Sequence, residues 1–188
     1  MMLRTVPPSL QRAVRRTGVR PTRRLLVVSV ARQRMSLLER DNGVPLMGRF
    51  PAYVWRNIFR VSTSRFGVGQ VLNSKQTPLG LHRIARKIGG GDPVGTIFRA
   101  RQPVGLVWQG DLGGDATIVH RILWLEGLEP GWNRGGDVDT FRRYIYLHGY
   151  GDELTLGRPQ SCGCIHVAAA ELIRLHDLLP VGTLVWIE

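Results

Sequence analysis

No apolar run in the chain approaches the ~18 residues that a membrane-spanning helix needs, so no such segment is read from it. Nor is there a Cys-x-x-Cys pair. The two cysteines, Cys162 and Cys164, are separated by one glycine, a spacing less common in structural zinc sites. The run Gly89-Gly90-Gly91 is followed by no Gly-Lys-Ser/Thr ending and forms no Gly-x-Gly-x-x-Gly fingerprint, which excludes the usual phosphate cradles and leaves a flexible turn. Internal repeats and low-complexity arrays are absent. Lysine is scarce: among 26 basic residues only Lys75 and Lys87 are lysine, an arginine bias that carries little functional weight. Acid is missing from residues 1–24, which hold Arg4, Arg12, Arg15, Arg16, Arg20, Arg23 and Arg24. The net charge of +12 is therefore concentrated at one end. The rest of the chain is only moderately basic and shows no recognition motif, so no nucleic-acid partner is implied.

What is present is an ordinary globular composition, 43% hydrophobic and 21% charged over 188 residues, enough for one enzyme-sized domain. Residues 1–24, with Pro7-Pro8 and Pro21 and no sustained apolar period, are expected to form a basic, disordered tail. Residues 25–188 then form the domain. Leu25 to Ala31 is barely long enough for the apolar part of an export signal, and Arg32-Gln33-Arg34 follows where a small-residue cleavage site belongs. No export signal is read.

Leu25 to Ala31 reads as a buried strand, with Met35 to Glu39 as a second beside the turn signal Asp41-Asn42-Gly43. Residues 44–57 read as a connection, and Ile58 to Ser64 as a further strand. Ser74 to Asp115 is dense in glycine and proline and predicts long loops between short strands. Thr117 to Leu125 and Arg142 to Leu147 are strands by β-branched and aromatic content, and Glu129 to Asp139 between them is a glycine-rich loop. Leu172, Leu175 and Leu179 recur at spacings of three and four, which predicts one helix over Ala168 to Leu179, stopped by Pro180. Thr183 to Ile187 closes the chain as a strand. Many strands and one helix make a mostly β domain.

The chemistry lies in Tyr146 to His166, where His148-Gly149 precedes Gly163-Cys164. A cysteine nucleophile acts as its thiolate, and imidazole is the side chain suited to take its proton near neutral pH. His148 is the candidate base. Main-chain N–H groups of Gly163 and Cys164 suit the developing oxyanion, and a glycine before the nucleophile permits close backbone approach. Ser161 reads as a donor that shapes the loop.

These residues, with Leu156-Gly157-Arg158-Pro159-Gln160-Ser161-Cys162-Gly163-Cys164-Ile165-His166 as a block, resemble the signature of the L,D-transpeptidase (YkuD) family. Similarity extends through Val61 to Ser64, Thr77 to His82, Arg121 to Glu129 and Val181 to Ile187. Two positions depart: Cys162 stands where the family usually has histidine, and His166 where it usually has arginine. The resemblance implies a β-sandwich-like fold with its main helix directly after the nucleophile, and acyl transfer through a Cys164 thioester. It implies that His148, oriented by the Gly149 carbonyl, moves the proton, and it implies no cofactor. The substrates implied are peptidoglycan stem peptides, whose third residue, commonly meso-diaminopimelate, is the acyl donor and whose terminal D-alanine leaves. The place implied is the periplasm or cell envelope.

Two other classes stand beside this reading. Cys162, Cys164 and His166 alternate, so an extended chain would turn all three to one face, where His148 completes a metal-ligand set. Alternatively the fold is kept as a wall-binding module without activity, because histidine at 166 forgoes the bidentate contact that arginine makes to a carboxylate. Cys162 itself reads either as a small buried replacement for histidine or as a thiol that traps oxidised Cys164.

Overall fold

Leu25-Leu26-Val27-Val28 is apolar on every residue, so as a strand it must be covered on both faces. The structure, a computed structural model, describes residues 6–43, 50–108 and 117–188 and shows what supplies the two covers. Strand β1 (Arg24–Ser29) buries all four of these side chains. Leu26 and Val28 point into the main core, with Met35, Phe59, Val61, Ile84, Leu123, Leu147, Ile165 and Val185. Leu25 and Val27 point the other way and meet Leu10, Ala13 and Val14 of an N-terminal helix, α1 (Pro8–Thr17).

Over Pro8–Thr17 that helix corrects the expectation of a disordered tail, whose residues 1–5 lie outside the described residues. Leu10, Ala13 and Val14 form one apolar stripe at i, i+3 and i+4, too short to stand out among the arginines but matched to the open face of β1. Pro8 sits in the first turn, where a missing N–H costs nothing, and Gly18 ends the helix in the left-handed conformation, its N–H donating to the Arg15 carbonyl. Arg15 and Arg16 in the last turn complement the helix dipole. Arg16 also pairs with the Glu129 carboxylate on the far side of the chain. Packing against the sheet thus stabilises a segment that its own composition would leave unfolded.

The remaining strands are β2 (Arg34–Arg40), β3 (Tyr53–Ser62), β4 (Gly80–Ile88), β5 (Thr96–Arg99), β6 (Gln102–Val107), β7 (Ile118–Gly127), β8 (Tyr146–Tyr150), β9 (Ile165–Val167) and β10 (Leu184–Ile187). They form one sheet in the order β4-β10-β1-β2-β3-β9-β8-β7-β5-β6, and an extra β4–β7 pairing closes it on itself. The mostly β class is borne out, with continuous hydrogen bonding around the closure in place of two separate sheets. Helix α2 (Ala169–Leu178) brings Leu172 and Leu175 into the main core, as its period predicts, and Leu179 joins them at its end.

Two stretches read as connections are strand. Residues 53–57 belong to β3 and pair with β2, whereas 44–49 lie outside the described residues. Gly80–Ile88 is a nine-residue strand held by β10 on one side and β7 on the other; its charged Arg83, Arg86 and Lys87 masked it, and Leu81 and Ile84 are buried on opposite faces, in different clusters. Residues 109–115 of that glycine-rich stretch also lie outside the described residues.

Strand directions gather the start of β8, the start of β9, the loop at 128–145 and the start of β4 at one end of the sheet. The turn at Gly89 to Gly91 and the start of β7 lie at the other.

Because Leu10 is fully buried between α1 and the sheet, Leu10→Ala is expected to cost about 2–4 kcal/mol, as large-to-small core substitutions do. Urea denaturation reads this directly; a loss under about 0.5 kcal/mol, the range of surface substitutions, would mean that α1 does not pack as described.

Candidate active site

Strands β8 and β9 run parallel, with Leu147 beside Ile165, His148 beside His166 and Gly149 beside Val167. Leu147, Ile165 and Val167 face the main core, so their neighbours Tyr146, His148, Cys164 and His166 fall on the opposite, outer face. Hydrophobic packing on one side therefore assembles the polar set on the other. A bulge-free register is what keeps thiol and imidazole on the same side.

Cys164 lies at the entrance to β9, level with Tyr146, whose N–H donates to its sulfur at 3.4 Å. Its own S–H donates to the Tyr144 carbonyl at 3.4 Å, and Tyr144 holds a positive φ of 57°. The preceding turn is built by Ser161 and Thr77. The Ser161 hydroxyl donates to the Cys164 carbonyl at 2.6 Å and accepts from the Gly163 N–H at 3.2 Å, while Thr77 Oγ1 donates to the Gly163 carbonyl at 3.0 Å. Gly163 has φ +122°, a conformation that L side chains rarely adopt, and an added Cβ would also meet Ile145 Cδ1 at 3.3 Å. Both constraints require glycine there.

His148 is buried, and its Nδ1 lies 2.8 Å from the Gly149 carbonyl. A carbonyl only accepts, so Nδ1 carries the proton and Nε2 is the basic nitrogen. Gly149 is itself required: a Cβ would run into the Val119 carbonyl and the ring of His120, each at 2.6 Å.

His166 is packed between two rings, 4.8 Å from that of His148 and stacked on Tyr150 at 4.4 Å. It is 5% exposed and its Nδ1 has no partner, so the side chain is packed inside beside His148 and not open at the surface. Cys162 is exposed, which corrects the reading of it as a buried replacement for histidine. It also departs from the alternating metal face, because residues 162–164 form a bend ahead of β9. Among the described residues, no group of three or more His, Cys, Asp or Glu side chains is placed to share a metal ion. His82, quoted above among the similar segments, is structural: its Nδ1 donates to the Gly80 carbonyl and its Nε2 accepts from Thr140 Oγ1.

Three residues that the sequence did not single out complete the site. Arg143 binds the carbonyls of Gly69 and Gln76 at 3.0 and 2.6 Å, tying down the loop that precedes β4, and its charge favours the Cys164 thiolate. Trp124 stacks on Phe141 and meets Tyr146 edge-on, walling the thiol. Arg101, at the tip of the β5–β6 hairpin with φ +69°, lies over the rings of Tyr144 and Trp124 at 4.6 and 5.2 Å. The adjacent Arg142-Arg143-Tyr144 was a readable signal, since cations beside a candidate thiol lower its pKa. Arg101 gave none, being remote in sequence.

Burial pushes the Cys164 thiol up to about 12, against the opposing pulls of the Tyr146 N–H and Arg143. Burial likewise pushes His148 down to about 4, opposed by the Gly149 carbonyl, and His166 down to about 2, with help from His148. The resting site is therefore a neutral thiol beside neutral imidazoles, not a thiolate–imidazolium pair.

A family model, the L,D-transpeptidase catalytic domain (YkuD), matches residues 23–187. No curated protein matches the chain. Among solved structures, Bd1075 of Bdellovibrio bacteriovorus is similar at 16% identity and a TM-score of 0.55, covering 89% of this chain and 48% of that one. L,D-transpeptidase 3 from Mycobacterium tuberculosis, in complex with a faropenem-derived adduct, is similar at 15% identity and a TM-score of 0.51, covering 88% of this chain and 60% of that one. The chain thus spans about half to three-fifths of the length of these structures, and at such identities the likeness is one of fold.

Three buried neutral histidines set an acid limit. His82 and His148 are each held at about 4 and His166 at about 2, all below the ordinary 6.5. Between pH 6.5 and 4 the unfolded chain binds protons that the folded chain refuses, so stability falls as pH falls through that window. Urea midpoints at pH 7, 5.5 and 4.5 should decline in that order; an unchanged midpoint down to pH 4.5 would contradict the neutral, buried histidines.

Proposed function

The chain belongs to the L,D-transpeptidase catalytic-domain family, and from that premise we propose that it transfers the acyl group of a peptidoglycan stem peptide through a thioester on Cys164. The observation that carries this reading is the β8–β9 register, which sets Cys164 and His148 as diagonal neighbours on one face, with His148 Nδ1 committed to Gly149.

As the donor carbonyl approaches, the Cys164 S–H turns from the Tyr144 carbonyl to His148 Nε2, which takes the proton while sulfur bonds to the carbonyl carbon. Negative charge moves to the oxygen, where the Cys164 N–H is the natural donor; the Gly163 N–H is engaged by Ser161 at rest and joins only if that bond yields. The imidazolium returns its proton to the departing D-alanine amine, and the C–N bond breaks to leave the thioester. A second amine, or water, then attacks with His148 again as base, restoring the thiol and giving a cross-link or a trimmed tripeptide. Arg101 and the aromatic wall it covers receive a substrate carboxylate beside the thiol. Such a reaction belongs to the cell envelope, and among the described residues no helix is long and apolar enough to cross a membrane.

Incubation with a disaccharide-tetrapeptide and mass analysis tests the reading. Loss of D-alanine or formation of a dimer, with an acyl adduct on Cys164, is the expected result; an intact substrate and unmodified enzyme would favour the inactive wall-binding module. Cys164→Ala should abolish the adduct, and His148→Ala should cost nearly as much because nucleophile and base act as a unit. Full turnover in either variant would end the assignment. Arg101→Ala should raise KM roughly ten- to a hundredfold with little change in kcat, the scale of one hydrogen bond to a charged group. An unchanged KM would remove Arg101 from the substrate site.

A further inference from the structure

At the end of the sheet away from Cys164, the structure buries a cation with no counter-charge. Arg121 is 8% exposed; its Nη1 donates to the His120 carbonyl at 2.7 Å, and its Nε has no partner. Among the described residues no carboxylate lies within salt-bridge distance of it. A buried charge without a counter-ion, with its Nε unpartnered, is unfavourable, so its persistence asks for a compensating group.

The neighbours are of the same sign. His176, in the last turn of α2, is buried, and neither ring nitrogen has a hydrogen-bond partner. Its Nδ1 is 3.6 Å from Asp177 Oδ1, a carboxylate that is itself mostly exposed. The β4–β7 register sets Lys87 beside Leu123, two residues from Arg121 and on the same face; burial lowers the His176 pKa, the charges of Lys87 and Arg121 lower it further, and Asp177 opposes them. They come from three elements: Lys87 from β4, Arg121 from β7 and His176 from α2.

The glycine turn closes over this cluster. The Asp92 N–H donates to the Gly89 carbonyl, and Gly89 has φ +95°. A Cβ on Gly89 would meet Arg121 Cδ at 3.2 Å, and one on Gly90 would meet His176 Cε1 at 3.0 Å. Backbone without side chains is thus laid against the guanidinium stem and the imidazole.

We infer that Lys87, Arg121, His176 and the Gly89–Gly91 turn form a binding site for a tetrahedral oxyanion of the phosphate class. A guanidinium fork, an ammonium, an imidazole and exposed glycine main chain are the donors that such an ion collects, and its charge offsets the buried cation. The half-buried Asp92 and the exposed Asp177 are the acids of this rim. The site bears on the catalytic strand through one neighbour. His120 accepts from the Gly95 N–H at 2.9 Å, and its ring packs under Gly149, whose carbonyl orients His148. An anion held by Arg121 therefore steadies the support of the base. The inference stands apart from the acyl-transfer reading and survives if that reading fails.

The test is calorimetric titration of the full chain with inorganic phosphate at constant ionic strength, with sulfate and acetate in parallel. Saturable one-to-one binding of phosphate and sulfate is expected, with affinity falling about tenfold or more in Lys87→Ala and in His176→Asn. Arg12→Ala, on the exposed face of α1, should leave it unchanged. Arg121→Gln removes a buried group and risks the fold, so the half-buried Lys87 carries the test. No saturable binding, equal affinity for acetate, unchanged affinity in both the Lys87 and His176 variants, or loss in Arg12→Ala alone would each overturn the proposal.

Discussion

The pairing of β8 with β9 is the constraint on which the site depends. Leu147, Ile165 and Val167 are held inward by the main core, and that contact forces their alternating neighbours outward. A one-residue slip would turn His148 into the core and leave Cys164 facing away from it. The surrounding architecture makes such a slip costly. β7 holds the other side of β8, and β3 the other side of β9. The turn before the nucleophile is pinned by hydroxyls from Ser161 and Thr77, so both ends of the short strand β9 are tied to neighbours.

Burial also sets the electrical state. The same packing that orders the residues strips water from both imidazoles and half-buries the thiol, and each then resists charge. In the proposed reaction Nδ1 is fixed by Gly149, Nε2 is left to accept the thiol proton, and a bound substrate supplies the place for negative charge. Aromatic residues around Cys164 extend this dry environment, while Arg101 and Arg143 bring cations to its edge.

Much of the fold was legible in the chain. The apolar run at Leu25 to Val28, the leucine period in α2 and the closing strand at Leu184 appear where their patterns put them. What escaped were elements whose stability comes from partners. Helix α1 has three buried positions among arginines and folds because β1 needs cover. Strand β4 carries charges along its length and is a strand because β10 and β7 flank it. Cysteine, histidine and the two glycines around them were readable as chemistry because short-range order and residue type suffice to propose a nucleophile and a base. Arg101 was not, since a hairpin tip 45 residues before Tyr146 has no local mark of where it will rest.

By itself, then, the sequence determined which groups are candidates for the chemistry and which strands are buried, because side-chain chemistry and hydrophobic period are local properties. Only the tertiary structure decided that His166 is packed between two rings, that Cys162 faces solvent, that Pro8–Thr17 in the arginine-rich start is a packed helix, and that Arg121 and His176 lie against one glycine turn. Each of these depends on burial against residues distant in the chain. Desolvation and pairing arise from a three-dimensional neighbourhood, and no local pattern encodes them.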